Sequence, residues 1–421
     1  MRILVYPHDL GIGGSQLNAI DLAAAVRDRG HEVVVFGRPG ILVAHVQSLG
    51  LEFIEAPCPG KRPSPTIARA IADLIDTRSI DVLHGYEWPP ALECAFAARL
   101  RPSAVSMSTV MSMSVPGFIP RMQPLVVGTE QIAAAERRRG RHNIAVIEPP
   151  VDLEANNPRL DVGTKEFRER YGLDPDRPII VSVTRFAREL KLEGTLAAID
   201  AVAELARSDV PPPQLVLVGD GPARGEVEER IRQVAGRSGS SVVTLTGELA
   251  DPRPAYAAAD IALGMGGSAL RALAFSKPLI VQGESGFWKL LTQDSLDEFL
   301  WQGWYGVGAD PKDGAATLIA VLRQLLADPA SRSELGRFGL STVTARFSLI
   351  GAAERQAKYY RDAIDGRPST ARTIASELEA LARYGGYYAA KRSRRVFGRE
   401  QADDFNARPV ASRTRGRAVT R

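Results

Sequence analysis

The 421-residue sequence is poor in the residues that form cross-links and metal centres. Its two cysteines, Cys58 and Cys94, cannot build a disulfide framework and have no C-x-x-C spacing. The five histidines show no H-x-x-x-H or comparable ligand spacing. The sequence therefore predicts no metal site, and a reducing cytoplasm is the expected environment.

Long hydrophobic runs are also missing. The sequence contains no stretch of about 18 apolar residues and does not begin with a basic and then apolar leader, so it predicts neither a membrane span nor a secretory signal. With 45% hydrophobic and 24% charged residues it has an ordinary globular composition. Its length suits two domains of about 150 to 200 residues each.

Excess charge is confined to the C-terminal end. The net charge is +4, but residues 367–421 hold 13 lysines and arginines against 5 acidic residues, which leaves residues 1–366 at −4. The runs KRSRR and RTRGR, with few large apolar residues after Phe405, predict a flexible basic tail. An inert solvated tail and a peripheral contact with an anionic membrane surface both remain open; we expect no nucleic-acid partner.

A glycine-rich turn follows the first apolar run. Ile3–Tyr6 reads as a strand, Gly13 and Gly14 follow it, and apolar residues at helical spacing continue to Gly30. Glycines between a strand and a helix let a ligand approach the backbone closely, and the start of the helix presents free N–H groups to phosphate. This turn predicts a site for an anionic ligand.

A nicotinamide dinucleotide site is the alternative for the same turn. That site needs G-x-G-x-x-G and an acidic residue at the end of the second strand. Gln16 stands where the third glycine belongs, and the second strand ends in Gly37 and Arg38. The dinucleotide reading is disfavoured, although an arginine there has the charge to accept a 2′-phosphate.

Strand and helix signals alternate along two stretches, which predicts two parallel sheets covered by helices on both faces. The strand candidates are Ile3–Tyr6, Val33–Phe36, Leu51–Ile54, Val82–His84, Ala104–Met107 and Leu125–Val127, then Ile179–Val183, Leu215–Val218, Val242–Leu245, Ile261–Leu263 and Leu279–Val281. We expect an N-terminal domain over residues 1–160, a second domain over 161–347, a returning helix over 348–366 and the basic tail over 367–421.

The second stretch carries polar and glycine-rich motifs where its strands end. Arg185 and Lys191 follow the strand Ile179–Val183, where two cations can meet a diphosphate. LVGDGP (217–222) and VTLTGEL (243–249) end the next two strands, and AYAAAD and SKPLIV come after them.

In this order the motifs resemble glycosyltransferase family 4 over about residues 1–365. The resemblance implies an α/β protein with the GT-B architecture: two facing Rossmann-like domains with parallel sheets and a deep cleft between them. It further implies a nucleoside-diphosphate-sugar donor held by the second domain, an acceptor held by the first, and transfer with retention of configuration. No metal and no cofactor besides this co-substrate are implied.

The resemblance also assigns roles to individual residues. Arg185 and Lys191 would neutralise the leaving diphosphate and so serve catalysis. The other donor-binding residues matched to the family are, beside the diphosphate, Gly13 and Gly14; in the glycine turn of LVGDGP, Gly219; and bordering the base, Gly247, Glu248 and Leu249.

The sequence departs from the family where two glutamates are usual. Arg271 replaces the ribose-binding glutamate, and the first glutamate has no counterpart in the shortened GMGGS loop, whose Gly266, Gly267 and Ser268 can instead offer backbone N–H groups. Glu284 follows the last strand and can fill part of the missing role, or cap a turn. We expect Arg271 to pair with Glu284 or to contact a phosphate or acidic sugar.

The family also has a first-domain histidine that lacks an equivalent in residues 105–114. His84 is the nearest substitute, and a structural role for it is equally compatible.

The expected function is transfer of a sugar to an unidentified glycan, lipid or small-molecule acceptor. The alternative is a catalytically weakened homologue that binds a nucleotide or glycan as a partner protein. An oxidoreductase or epimerase is disfavoured.

Overall fold

The computed structural model describes residues 1–208, 211–238 and 242–396, together with Phe405 and Val410. The predicted basic run RTRGR lies outside the described residues. The chain divides into two compact units: Met1–Pro150 with Leu349–Arg421, and Val151–Ser348.

The first unit is built on a seven-stranded parallel sheet in the order β3-β2-β1-β4-β5-β6-β7. Its strands are β1 (Arg2–Tyr6), β2 (Glu32–Gly37), β3 (Glu52–Glu55), β4 (Val82–Tyr86), β5 (Val105–Val110), β6 (Leu125–Val127) and β7 (Ile144–Val146). Its helices are α1 (Gly14–Arg27), α2 (Val43–Ser48), α3 (Pro65–Arg78), α4 (Trp88–Leu100) and α5 (Glu130–Arg138), joined later in the chain by α14 (Leu349–Asp365) and α15 (Thr370–Val396).

The second unit contains a six-stranded sheet in the order β10-β9-β8-β11-β12-β13. Its strands are β8 (Ile179–Val183), β9 (Gln214–Val218), β10 (Val243–Gly247), β11 (Ile261–Gly264), β12 (Leu279–Gln282) and β13 (Trp288–Leu290), of which only β13 runs antiparallel to its neighbour. Its helices are α6 (Thr164–Arg170), α7 (Leu192–Ser208), α8 (Arg224–Ser238), α9 (Arg253–Ala258), α10 (Gly267–Ala274), α11 (Leu296–Gln302), α12 (Gly314–Ala327) and α13 (Pro329–Arg346).

Both sheets are buried on two faces, as the continuous apolar runs of their strands require. In the first unit, α1 and α14 cover one face of the sheet, and the isoleucines of α3 pack on the other against Leu4 and Phe36. In the second unit, α7 and α12 pack on one face, and α10 and α13 on the other. The prediction of two Rossmann-like α/β domains is confirmed.

The C-terminal segment differs from its prediction. Residues 367–421 were expected to be a flexible tail, but Thr370–Val396 forms the long helix α15. Tyr384 packs its ring 5.7 Å from that of Trp88, between ring centroids, and its hydroxyl donates to the backbone oxygen of Arg62 at 2.7 Å. The aromatic side chains within this basic segment therefore anchor it to the first unit.

Candidate functional site

The second sheet has a topological switch point between β8 and β11. From β8 the strand order runs through β9 to β10 in one direction, and from β11 through β12 in the other. Leu263 of β11 pairs with Ser182 of β8, so the two strands end side by side. Ligands of open α/β sheets bind at such a point, outside the carboxyl ends of the strands.

Arg185 and Lys191 both lie in the segment that leaves β8 at this point. The Arg185 side chain is exposed and the Lys191 side chain half-buried; within the described residues, neither cation has a hydrogen-bond or ion-pair partner. Burial without a compensating carboxylate lowers the pKa of Lys191 to about 8. Two cations without a protein anion are thus available to an anionic ligand.

The backbone of Lys191 is fixed from two directions. Its carbonyl oxygen accepts hydrogen bonds from the Thr195 N–H at 3.0 Å, the Thr195 hydroxyl at 2.9 Å and the buried Gln282 amide at 3.1 Å. Gly194 makes this approach possible, because a Cβ on it would lie 2.2 Å from the Gln282 side-chain nitrogen. The end of β12 therefore holds the start of α7, and with it the stem of Lys191.

Gly219 has a structural reason to be glycine. Its φ is +148°, and a Cβ built there would lie 1.9 Å from the carbonyl oxygen of Thr184. The Thr184 N–H donates to Val218 O at 2.9 Å, so the segments after β8 and β9 run in contact beyond the strands. Gly219 therefore shapes the segment that carries Arg185. The sequence predicts only a donor-binding role for Gly219.

The segment after β10 lies two strands from β8. Gly247 has φ +76°, and its carbonyl accepts from the Gly219 N–H at 2.9 Å. Glu248 is exposed, whereas Leu249 is partly buried against Val216 and Val218. Its packing gives Leu249 a structural role, and Glu248 has the freer side chain.

Helix α10 begins at the same switch point without a capping side chain. Its N-cap, Gly266, has φ +57° and donates its own N–H to Trp304 O at 3.0 Å. The Ser268 hydroxyl is engaged with the backbone of Met265, at 3.1 Å and 3.2 Å. A Cβ on Gly267 would meet nothing within 4 Å, so the first turn of the helix is open for a ligand to approach its N–H groups.

Arg271 and Glu284 do not pair with each other in the described part of the chain. The Glu284 carboxylate accepts a hydrogen bond from the Tyr305 hydroxyl, and burial together with Glu284 raises the pKa of Tyr305. Arg271 is half-buried on α10 near Tyr256. Burial raises the pKa of Tyr256, and the positive charge of Arg271 partly offsets this rise. The expected Arg271–Glu284 pair is absent, and ligand contact by Arg271 stays a prediction.

The loop after Glu284 is held by another carboxylate. Glu193, in the first turn of α7, accepts hydrogen bonds from the backbone N–H groups of Ser285 at 3.1 Å and Gly286 at 2.7 Å. The segments that follow β8 and β12 are therefore joined at Lys191, through the Gln282 side chain, and again two residues later at Glu193.

In the first unit, the turn between β1 and α1 is ordered by Asp9. Its carboxylate contacts His8 Nδ1 at 2.7 Å and accepts from the Gly11 N–H at 3.0 Å, and these bonds, led by His8, lower the pKa of Asp9 to about 2. Gly13 then caps α1 without a side-chain hydrogen bond, and a Cβ on Gly14 would meet nothing within 4 Å. The Gln16 side chain folds back over Gly13, so the helix start is open at Gly14, where an anion can approach the backbone.

Glu87 is a candidate that the sequence reasoning missed. It follows β4, which is adjacent to β1 at the switch point of the first sheet, and its φ of +64° is unusual for a non-glycine residue. Its carboxylate accepts from the N–H groups of Met111 at 2.9 Å and Ser112 at 3.2 Å, and from the hydroxyls of Ser112 and Ser15. Burial raises the pKa of Glu87 against these hydrogen bonds.

A detectable signal for Glu87 was present in the sequence. Glu87 is a charged residue just beyond the predicted strand Val82–His84, much as Arg185 comes just beyond the strand Ile179–Val183. His84, the substitute that was considered instead, is fully buried between the Tyr360 hydroxyl at 2.8 Å and the Thr109 hydroxyl at 2.7 Å. His84 has a structural role.

Comparison with family models gives two matches. Residues 177–328 match the model described as glycosyl transferases group 1, and residues 13–147 match the glycosyl transferase 4-like domain. Together the two matches include every strand of the two sheets except β1, which precedes residue 13. A search of curated proteins found no significant match.

Solved structures of similar fold cover most of the chain. A glycosyltransferase from Rickettsia africae is 16% identical with a TM-score of 0.70, covering 87% of this chain and 99% of its own. Anabaena Alr3699/HepE in complex with UDP-glucose is 15% identical with a TM-score of 0.66, covering 85% and 98%. WaaG, a glycosyltransferase involved in lipopolysaccharide biosynthesis, is 14% identical with a TM-score of 0.57, covering 85% and 98%. At these identities the likeness concerns the fold.

Proposed function

The chain belongs to the group 1 glycosyltransferases, and from this premise we propose that it transfers a sugar from a nucleoside-diphosphate-sugar donor to an acceptor hydroxyl, with retention and without a metal ion. The observation that carries the proposal is the pair Arg185 and Lys191, which follow β8 at the switch point of the second sheet and have no anionic partner among the residues that the structure describes. UDP is the first nucleotide to test, since Anabaena HepE was solved with UDP and with UDP-glucose.

The proposed reaction makes specific use of these two cations. Transfer breaks the bond between the anomeric carbon and the β-phosphate oxygen, and that carbon bonds to the acceptor oxygen, whose proton passes to the departing diphosphate. Negative charge then grows on the departing diphosphate, where charge-assisted hydrogen bonds from Arg185 and Lys191 are strongest. The open first turn of α10 adds backbone N–H groups, whose partial positive charge also favours a diphosphate.

Nucleotide titration followed by turnover tests the proposal. We expect UDP or GDP, but not NADP, to bind, and a labelled donor to be consumed with EDTA present. Arg185→Ala should lower kcat more than it raises KM, because its contact strengthens in the transition state. Arg188→Ala is the matched control: Arg188 lies three residues on and pairs with Glu226 at 2.7 Å. Binding without turnover would favour the weakened homologue, and binding of NADP alone the oxidoreductase.

We also propose that α15 meets an anionic membrane surface from the cytoplasmic side. Leu378, Leu381 and Tyr388 are 61%, 43% and 55% exposed, and helical spacing continues this face into the exposed Arg392 and Arg395. An apolar stripe that runs into basic residues suits the interface of an acidic bilayer. No helix within the described ranges is long and apolar enough to cross a membrane.

Vesicle sedimentation tests the membrane contact. The double variant Leu378→Ser, Leu381→Ser should lose salt-sensitive binding to vesicles of phosphatidylcholine with phosphatidylglycerol. The control Ile350→Ser removes another exposed apolar side chain, 59% exposed, on α14 of the same unit. Equal binding by the wild type, the double variant and the control would refute a contact through α15.

A further inference from the structure

A cavity of about 520 Å³ lies in the first unit, between α15 and the segment that follows β5. Four arginines line it: Arg121, Arg139, Arg383 and Arg394. Two of them come from α15 and therefore lie beyond both family-model matches, which end at residues 147 and 328. Its volume falls in the range of small-molecule sites.

Among the described residues, two carboxylates contact three of the arginines that line the cavity. The Glu379 carboxylate accepts a hydrogen bond from the Arg383 guanidinium and lies 3.9 Å from the Arg121 guanidinium. Glu136 is likewise shared between Arg139 and the buried Arg141. Each of these two carboxylates thus serves two guanidinium groups, so within the described residues these two clusters carry more positive than negative charge.

The wall that carries Arg121 is rigid. Arg141, only 3% exposed, donates to the backbone oxygens of Ile119 at 2.9 Å, Pro120 at 2.8 Å and Gln123 at 3.2 Å. These bonds fix the turn on which Arg121 sits. A guanidinium held in place before a ligand arrives loses less freedom on binding, which favours affinity.

An aromatic surface adjoins the charged one. The Phe118 ring is 5.0 Å from that of Tyr387 and 5.4 Å from that of Trp88, between centroids. Phe118 and Tyr387 both line the cavity. Such rings suit the flat or apolar part of a ligand whose anionic end meets the arginines.

We propose that this cavity binds a phosphate-bearing ligand. Guanidinium forks match the oxygens of a phosphate in pairs, and a dianion balances the surplus charge better than a carboxylate does. The segment after β5 also connects the cavity to the candidate site, because Ser112 on it donates to Glu87 at 2.9 Å. On the proposed function, which this step assumes, the ligand is the phosphorylated acceptor.

Calorimetry with phenyl phosphate, in saturating UDP so that the donor site is filled, tests the proposal. Arg121→Gln with Arg139→Gln should weaken binding by about tenfold, as loss of charge-assisted contacts predicts. The control Arg137→Gln removes the same charge from α5, where Arg137 pairs with Glu130 at 3.0 Å outside the cavity, and should bind like the wild type. Benzoate should bind more weakly than phenyl phosphate.

Vesicles of phosphatidylcholine with and without phosphatidic acid identify the source of the phosphate. Loss of phosphatidic-acid binding in the double variant indicates a lipid headgroup, and unchanged vesicle binding with weakened phenyl phosphate binding indicates a soluble compound. Failure of the wild type to bind phenyl phosphate at millimolar concentration, or equal binding by a folded double variant, overturns the site. Should the double variant not fold, Arg139→Gln alone, at a 44% exposed side chain, takes its place.

The same titrations separate this inference from the proposed function. UDP affinity should be the same in the wild type, the double variant and Arg137→Gln. A wild type that binds phenyl phosphate but no nucleoside diphosphate would contradict the proposed function and leave the phosphate site standing.

Discussion

At the scale of single residues, Lys191 carries a positive charge in an environment that disfavours it. Its ammonium is desolvated without a carboxylate, which lowers its pKa to about 8. Lys277 in the same unit is also half-buried, and desolvation lowers its pKa, but its ammonium donates to Ala257 O at 2.8 Å. The hydrogen bond explains Lys277 as part of the fold, whereas Lys191 has no such explanation within the described residues.

We predict that Lys191→Met stabilises the fold and weakens nucleotide binding. A neutral side chain of similar length removes the cost of desolvating the ammonium. In the wild type, UDP affinity should fall as the pH rises through about 8, because the ammonium loses its proton; in Lys191→Met it should be flat there. Thermal unfolding and calorimetry at pH 7 and 9 measure both effects.

Lys277→Met is the matched control for this experiment. It removes a hydrogen-bonded ammonium, so it should lower the unfolding temperature and leave UDP affinity unchanged. If Lys191→Met also lowered the unfolding temperature and kept UDP affinity, Lys191 would be a structural residue.

The buried His84 should make the folded protein measurably less stable in acid. Burial lowers its pKa from 6.5 to about 3, so between these values the unfolded chain binds a proton that the folded chain does not. Stability therefore falls as the pH falls below about 6.5, by about 2 kcal/mol at pH 5 for this one group. In urea unfolding, the difference in free energy of unfolding between the wild type and His84→Gln should be smaller at pH 5 than at pH 7 by that amount.

His45 provides a control of opposite sign. Its contact with Asp21 at 2.8 Å raises its pKa, so its contribution is present at low pH and is lost as the pH rises through the folded value. The difference between wild type and His45→Gln should therefore shrink on raising the pH. A His84→Gln difference that does not change with pH would show that His84 is not held neutral.

At the scale of secondary-structure elements, the sequence predicted those that bury a continuous apolar run. All eleven strand predictions coincide with strands of the two sheets, and the returning helix was predicted within a residue at each end. The sequence did not predict β7, a half-buried strand of three residues, or β13, which is equally short. Such short elements at sheet edges depend on pairing with a neighbour, which local pattern does not record.

Two further misses depend on contacts between distant parts of the chain. Glu87 is held by Ser15 and Ser112, which lie 72 and 25 residues away. The basic composition of α15 predicts a tail, yet its Tyr384 contacts Trp88 and Arg62, which lies 322 positions earlier in the chain. The donor-site residues were chosen from motifs and family resemblance, and their contact with a donor remains a prediction.

Gly219→Ala should disrupt the segment that carries Arg185. The new Cβ would lie 1.9 Å from Thr184 O at a φ of +148°, so the segments after β8 and β9 must separate. We expect a loss of about 2 to 4 kcal/mol in the free energy of unfolding and weaker UDP binding. Gly225→Ala, in the first turn of α8 with nothing within 4 Å of its Cβ, should be neutral or slightly stabilising. Equal stability of the two variants in urea would contradict the predicted clash.

At the scale of the whole molecule, the residues proposed to bind the donor are divided between the two compact units. Gly13 and Gly14 belong to the first unit, and Arg185 and Lys191 to the second. The chain passes between the units twice, after Pro150 and after Ser348. On the proposed function, a diphosphate bound by both sets of residues would link the two units.

We therefore predict that the protein becomes more compact when it binds its nucleotide. Small-angle scattering should show a smaller radius of gyration at saturating UDP than in buffer, because differential binding favours the closed arrangement. The double variant Arg185→Ala, Lys191→Ala should keep the larger radius at the same UDP concentration, whereas Arg188→Ala should contract like the wild type. If calorimetry shows UDP bound while the wild-type radius stays unchanged, the nucleotide is held by one unit alone, and the glycine turn of the first unit then serves the acceptor or the fold.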